Sequence, residues 1–240
     1  EKDDSMWVSA PRIFSWDIEA YSHNPKIFPQ KYDCRDYIFS ISITSQVYLK
    51  PETRKNIVII IGFTEPLEGV TVYNVENEEE LIEKFSEIIL EEDPDVFTGY
   101  HIFGFDYDYL DARIVAAGDS WHNVGRLINQ DCKIKRISWS SGAYGDNTIS
   151  YIDAAGRLSV DMYPYIKRGY KFSMYKLDFV GKYFLNETKT DLKYTEMFKI
   201  HKDMAETIAE ICDITGCENS QDAYEKIKKI KNGGDDKKKI

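Results

Sequence analysis

The chain has 240 residues, 42% of them hydrophobic and 14% aromatic, which is ample for one large domain with its own core. No apolar run approaches the roughly 20 residues of a membrane helix, so no membrane partner is expected. A net charge of -10, from 31 basic and 41 acidic side chains, argues against a protein that coats duplex DNA through a broad basic face. A nucleic-acid enzyme with an acidic metal site and a local basic path stays open.

The chain opens Glu1-Lys2-Asp3-Asp4-Ser5, without an initiator Met and unlike a signal peptide. A piece of a longer protein that is not secreted is expected. Cys34, Cys132, Cys212 and Cys217 are scattered without zinc-type pairing and suit reduced thiols in a cytosolic or nuclear compartment.

Arg12 to Ile18 predicts a short buried strand, with Ile13, Phe14, Trp16 and Ile18 apolar between Pro11 and the polar run that starts at Tyr21. Asp17 and Glu19 close that run. Side chains alternate along a strand, so both carboxylates face one side. Two anions beside an apolar sheet need compensation, which a divalent cation held by oxygens supplies. The other reading is a strand end whose acids reach water.

Residues 37–48 alternate apolar and small polar residues, residues 56–63 form a β-branched run, and residues 70–75 make a further strand. Asn77 caps a helix with Glu78, Glu79 and Glu80 in its first turn. Its inward stripe is Leu81, Ile82, Phe85, Ile88 and Ile89, Asp93-Pro94-Asp95 ends it, and the acidic run reads as a solvated face. A short strand covers residues 96–100, and a helix begins near Phe105 or Asp106 and stops at Gly118. Residues 119–148 read as irregular and polar. Ile149–Asp153 and Arg157–Asp161 read as two strands joined by the Ala154-Ala155-Gly156 turn. A short helix follows from Met162 with Pro164 in its first turn. Ser173 then caps a helix whose apolar side is Tyr175, Leu177, Phe179, Val180 and Tyr183. From about Glu196 the chain is helical and charged, and Asn219 or Ser220 caps a basic helix over 221–231. The order predicts an α/β fold with a mixed sheet flanked by helices, followed by a C-terminal helical segment.

The second stretch of interest runs from Thr98 to Leu110. A strand ends, a loop with Gly99 and Gly104 follows, and Asp106 opens a helix. This aims a third carboxylate at the strand of Asp17 and Glu19. The alternative is that Asp106 only caps its helix.

Taken together these stretches resemble the exonuclease motifs of family B DNA polymerases, in the branch of the eukaryotic replicative and large-DNA-virus enzymes. The D-x-E of Trp16-Asp17-Ile18-Glu19 is similar to the first motif, and Gly99-Tyr100 with Phe105-Asp106 to the second, G-Y-N-x-x-x-F-D. Gly156-Arg157 through Asp161 to Arg168 resembles G-R-x-x-x-D-x-x-x-x-I-x-R, and Ser173 to Val180 resembles the S-Y-K-L-D-x-V helix. The resemblance covers roughly residues 8–200. Three departures stand out. His101 replaces the usual Asn, Asp108 a frequent Pro and with it adds a third nearby acid, and the third motif, Y-x-x-x-D, is missing. That motif is expected just beyond Ile240, after an insert over 201–236 and the basic Lys237-Lys238-Lys239.

The resemblance implies an RNase H-like 3′→5′ proofreading exonuclease domain over residues 1–200, a charged helical extension over 201–240, and a parent chain that also carries polymerase domains. It implies two Mg²⁺ or Mn²⁺ ions acting at the single-stranded 3′ end of a primer-template. Asp17 would bridge both ions, Glu19 would bind the one that activates water, and Asp106 would hold the other, partly through water. The Asp of the missing motif would complete the first ion's site and its Tyr would orient the nucleophile, so this chain alone is expected to bind metal weakly and to cut weakly or not at all. His101 lies where the family approaches the single strand. Phe103 and Phe105 would stack on terminal bases or simply pack in the core, and Lys167, Arg168 and Lys171 would touch phosphates or form a plain solvated face. Asp161 and Asp178 would serve structure, and His23, His122 and His201 are ordinary surface or core residues. The expected location is nuclear or cytoplasmic, or a viral replication site. Two alternatives remain: a stand-alone exonuclease of the RNase D or RNase T type, and a catalytically silent domain kept as a structural or single-strand-binding module.

Overall fold

The computed structural model describes residues 9–217 except 122–123, 143–144 and 189–191, together with residues 219, 222–223 and 225–226. The described strands are β1 (Arg12–Tyr21), β2 (Tyr37–Val47), β3 (Lys55–Ile61), β4 (Val70–Val75), β5 (Val96–Gly99), β6 (Lys133–Ser141), β7 (Gly145–Asp153) and β8 (Leu158–Asp161). The helices are α1 (Glu78–Glu92), α2 (Asp106–Ala116), α3 (Met162–Gly169), α4 (Leu177–Leu185) and α5 (Tyr194–Thr215).

Six strands form one mixed sheet in the order β4-β3-β2-β1-β5-β8. The pairings β1–β2 and β2–β3 are antiparallel, while β3–β4, β1–β5 and β5–β8 are parallel. The alternation of β1 decides what each face of the sheet does. Phe14, Trp16, Ile18 and Ala20 point to a face also lined by Ile41, Ile43, Ile57 and Ile59, and all eight are buried. Onto that face α1 packs Leu81, Ile82, Phe85, Ile88 and Ile89, every residue of its expected stripe. Trp16 is wedged between Phe85 and Tyr107, at ring separations of 5.2 and 4.9 Å. Each such buried ring or branched side chain contributes about 1.5–3 kcal/mol.

The opposite face carries Ser15, Asp17, Ser42, Thr44, Asn56 and Thr98. Leu177 and Leu185 of α4, together with Met162, overhang this polar floor and leave a cleft. The register shifts between Glu19 and Ala20, and the pairing of β1 with β2 resumes at Ala20 and Tyr21. The extra residue is Phe39 on β2, opposite the second carboxylate of β1.

Several expectations need correction. Residues 119–148 are not irregular throughout: β6 and β7 form a separate two-stranded hairpin. Most of β6 is exposed, so it lacks the buried alternating face that marks a strand in sequence. The turn at residues 154–156 is present, with the Arg157 amide donating to the Ala154 carbonyl and Gly156 at a left-handed φ of +81°. The strands it joins belong to different sheets, since β7 pairs with β6 and β8 with β5. Ser173 does not cap a helix, because α4 starts at Leu177. The segment before it is folded back by Tyr175, whose hydroxyl accepts from the Phe172 amide and donates to the Tyr170 carbonyl. On α4 only Val180 is buried, whereas Leu177 and Tyr183 are exposed. Glu78 is not part of a solvated face either. It accepts from the Ile38 amide and takes a two-pronged ion pair from Arg113.

Asn77 caps α1 as expected, its side chain accepting from the Glu80 amide at 2.9 Å. The helix α5 runs through residue 200 without a break and attaches to the sheet by Phe198 and His201, both buried. His201 packs on Phe39 at 4.6 Å and bonds the Tyr37 hydroxyl. Asn219 accepts from the Asp222 amide in the manner of a cap; His122, Ser220 and the body of the expected helix over 221–231 lie outside the described residues. Among the described residues no helix is long and apolar enough to cross a membrane.

Candidate active site

Strand β5 is short. Its parallel pairing with β1 covers only Ile13–Ser15 against Val96–Thr98, although β1 continues to Tyr21. The strand ends at Gly99, where a Cβ would stand 2.7 Å from the Trp16 carbonyl oxygen, so only glycine lets the two backbones approach this closely. Beyond that point the β5-side edge of β1 would carry a buried, unpaired amide at Ile18. The chain turns through residues 100–105 and places the Asp106 carboxyl there. Asp106 Oδ1 accepts from the Ile18 amide at 3.1 Å. Phe105, not Asp106, occupies the cap position of α2, so the carboxyl of Asp106 is turned away from its own helix and toward β1.

Asp106 is 3% exposed, whereas Asp17 on the neighbouring strand is exposed. Burial first, and then the negative charge of Asp17 in hydrogen-bonding contact, push the Asp106 carboxyl up to about 8. The Ile18 amide opposes that shift without overcoming it. Both causes favour the protonated form of Asp106, as when a carboxyl is buried close to a second one.

Glu19 is half-buried and turns into an apolar pocket formed with Phe28, Phe105, Tyr194 and Phe198. Phe28 meets Phe105 edge to face at 5.0 Å, and Tyr109 backs Phe105 at 5.3 Å. Phe103 points the other way, into a pocket with His101, Trp139, Lys167 and Arg168. It packs on Tyr151 and Tyr107, so it is partly a core residue. Lys167 lies over the Tyr163 ring at 5.6 Å. Lys171 is exposed and lines neither pocket.

Asp106 thus meets Asp17 beside β1, Glu19 lies in the neighbouring pocket with Phe105, and His101, Phe103, Lys167 and Arg168 line a third pocket. Asp108 does not add a free charge to the site, because Lys31 and Arg136 both pair with it. Among the described residues no three His, Cys, Asp or Glu side chains converge as a finished metal cage. The donor set nevertheless fits a hard divalent cation. It consists of carboxylate oxygens, and a cation would take the place of the proton that Asp106 otherwise retains. Two residues escaped the sequence reading: Phe28, in a loop between two prolines, and Trp139, on the unrecognised hairpin.

A mixed, six-stranded sheet flanked by helices, with carboxyls meeting at the end of its central strand, defines an RNase H-like α/β domain. Residues 1–180 match the family model for the exonuclease domain of family B DNA polymerases, and the chain belongs to that family. It is 32% identical over 206 residues to DNA polymerase 120R of Invertebrate iridescent virus 3, covering 84% of this chain and 18% of the relative. It is 34% identical over 201 residues to the DNA polymerase delta catalytic subunit of Plasmodium falciparum, covering 82% of this chain and 18% of that protein. The corresponding subunit of Bos taurus is 31% identical over 189 residues, or 78% and 17% of the two chains. The chain therefore spans less than a fifth of the length of these relatives.

Proposed function

We propose that this chain is the proofreading part of a DNA polymerase, removing nucleotides from a single-stranded DNA 3′ end by metal-assisted phosphodiester hydrolysis. The observation that carries the reading is the buried Asp106 held against β1 beside Asp17, with a carboxyl pushed up to about 8. Asp17, Glu19 and Asp106 are the residues that would hold Mg²⁺ or Mn²⁺. Cations bound there would supply an activated water and charge neutralisation on the phosphodiester. The exposed Asp17 meets the strand end directly, while Asp106 is oriented by the Ile18 amide and kept from water. Phe28 and Phe105 offer ring faces to a terminal base beside Glu19. Lys167 and Arg168 lie one pocket away, where they would meet backbone phosphates. The lengths of the relatives support a parent chain with polymerase domains and speak against a stand-alone exonuclease. Their viral and eukaryotic sources fit a nuclear or viral replication site.

The test is digestion of a 5′-labelled single strand with Mn²⁺ by the parent chain, third motif included. The expected result is a ladder shortened from the 3′ end that disappears on chelation and in Asp17→Ala. Equal products from wild type and Asp17→Ala would overturn the reading. The exposed Phe28 ring and the Lys167 and Arg168 cations would serve equally well in one rival, a silent strand-binding module. That rival predicts retained strand binding with no cutting by the parent chain at any Mn²⁺ concentration.

A further inference from the structure

Asp161 is the last residue of β8 and lies in register with Gly99, the last residue of β5. It is 4% exposed. Its two oxygens take three backbone amides. Oδ1 accepts from His101 and from Tyr163, both at 2.8 Å, and Oδ2 accepts from Phe103 at 2.9 Å. The Tyr163 bond is an ordinary helix cap for α3. The other two are different. They hold alternate amides of the loop between β5 and α2, straddling its turn.

That loop needs holding. His101 sits at a φ of +71°, a left-handed conformation that costs a side chain with a Cβ about 1 kcal/mol or more. From His101 the chain closes a tight turn, with the Gly104 and Phe105 amides donating to the His101 carbonyl and the Tyr107 amide to the Ile102 carbonyl. Asp106 lies within that turn. A second contact comes from the same face of β8, since Ser159 bonds the Tyr107 hydroxyl at 3.0 Å. Residues 159 and 161 thus act together on the two sides of Asp106.

We propose that Asp161 is a positioning residue for the carboxylate site: its grip on the His101 and Phe103 amides sets where Asp106 meets Ile18 and Asp17. No substrate contact is involved. The effect passes along the loop backbone, from a carboxylate in one strand to a carboxylate at the start of a helix. The proposal deepens the nuclease reading and rests on it for its catalytic consequence, but its structural half is separable.

The decisive measurement is amide hydrogen exchange in the metal-free chain, comparing wild type with Asp161→Ser and Asp161→Asn. Serine still caps α3 but is too short to span both loop amides. The Ile18 amide is expected to lose protection by about tenfold or more, while amides in the middle of α1 keep theirs. Digestion of the labelled strand is expected to show kcat falling by about tenfold or more with KM little changed, and Asn recovering part of the loss. If Ile18 keeps full protection while the His101 and Phe103 amides open, Asp161 only stitches its own loop and the proposal fails. If both variants lose protection throughout the sheet, the role is general stability and the proposal fails as well. A wild-type parent chain that cuts no DNA defeats the nuclease reading alone and leaves the Ile18 result to judge the positioning.

Discussion

The Ile18 amide donates to Asp106 Oδ1 across 3.1 Å, joining two residues 88 positions apart at the point where β1 outruns β5. The bond completes the edge of a strand and, in the same act, buries a carboxyl beside Asp17. Structure and candidate chemistry meet in that contact.

A pH dependence follows. The folded chain holds the Asp106 proton up to about 8, whereas an unfolded chain releases it near the ordinary value of 3.8. Between those values the folded state binds more protons, so stability falls as pH rises through the window. The melting temperature of the metal-free chain should therefore drop from pH 5 to pH 9. Asp106→Asn should flatten that slope and be the more stable protein at pH 9. Parallel melting curves for the two proteins would show that the carboxyl is not buried as described. Mn²⁺ should restore the wild type at high pH and leave Asp106→Asn unmoved.

Phe28 is 64% exposed yet meets Phe105 beside Glu19. Losing an exposed ring should cost the fold little, but losing a stacking surface for a base should weaken single-strand binding by about 1–3 kcal/mol. Fluorescence anisotropy with a labelled oligonucleotide, alongside a urea titration, separates the two for Phe28→Ala. A large loss of stability with unchanged binding would assign the ring to packing.

Gly99→Ala should destabilise the chain by about 1–3 kcal/mol, because the new methyl meets the Trp16 carbonyl at 2.7 Å between two paired backbones. Urea denaturation measures this. A variant as stable as wild type would mean that β5 and β1 separate more easily than the pairing indicates.

Glu92 is buried at the end of α1 and is met by the Lys55 ammonium at 2.6 Å, the Ser45 hydroxyl at 2.8 Å and Arg12 at 3.1 Å. Burial pushes its carboxyl up, but these partners outweigh burial and hold it below its usual range. Its contribution is therefore present above the ordinary carboxylate value and is lost as pH falls through the lowered one. Glu92→Ala should cost about 1–3 kcal/mol at neutral pH, since it leaves the buried Ser45 hydroxyl without its acceptor. The gap between variant and wild type should narrow in acid, as followed by circular dichroism.

Strand and helix positions with one buried face were legible in the order of residues. The five apolar inward residues of α1 follow helical spacing, and Asp17 and Glu19 follow strand alternation, because burial imposes the period of the backbone on the choice of side chain. The hairpin was not legible, since Lys133, Lys135 and Arg136 keep most of β6 in water and no apolar face is required there. Nor was the start of α4, whose preceding turn is held by the Tyr175 hydroxyl rather than by Ser173.

The sequence alone determined which acids are available, their place at a strand end and at a helix start, and the family whose motif order they share. It left open whether Asp106 caps a helix or faces β1, and whether Asp108 disturbs the site. Tertiary structure decided both. The carboxyl turns to β1 because a truncated neighbouring strand leaves the Ile18 amide without a partner, and Asp108 is paired because Lys31 and Arg136 reach it from distant segments. A buried amide that needs an acceptor and a charge that needs a counter-ion are each satisfied by whatever the fold brings near, and nearness between residues so far apart in the chain is not written in local spacing.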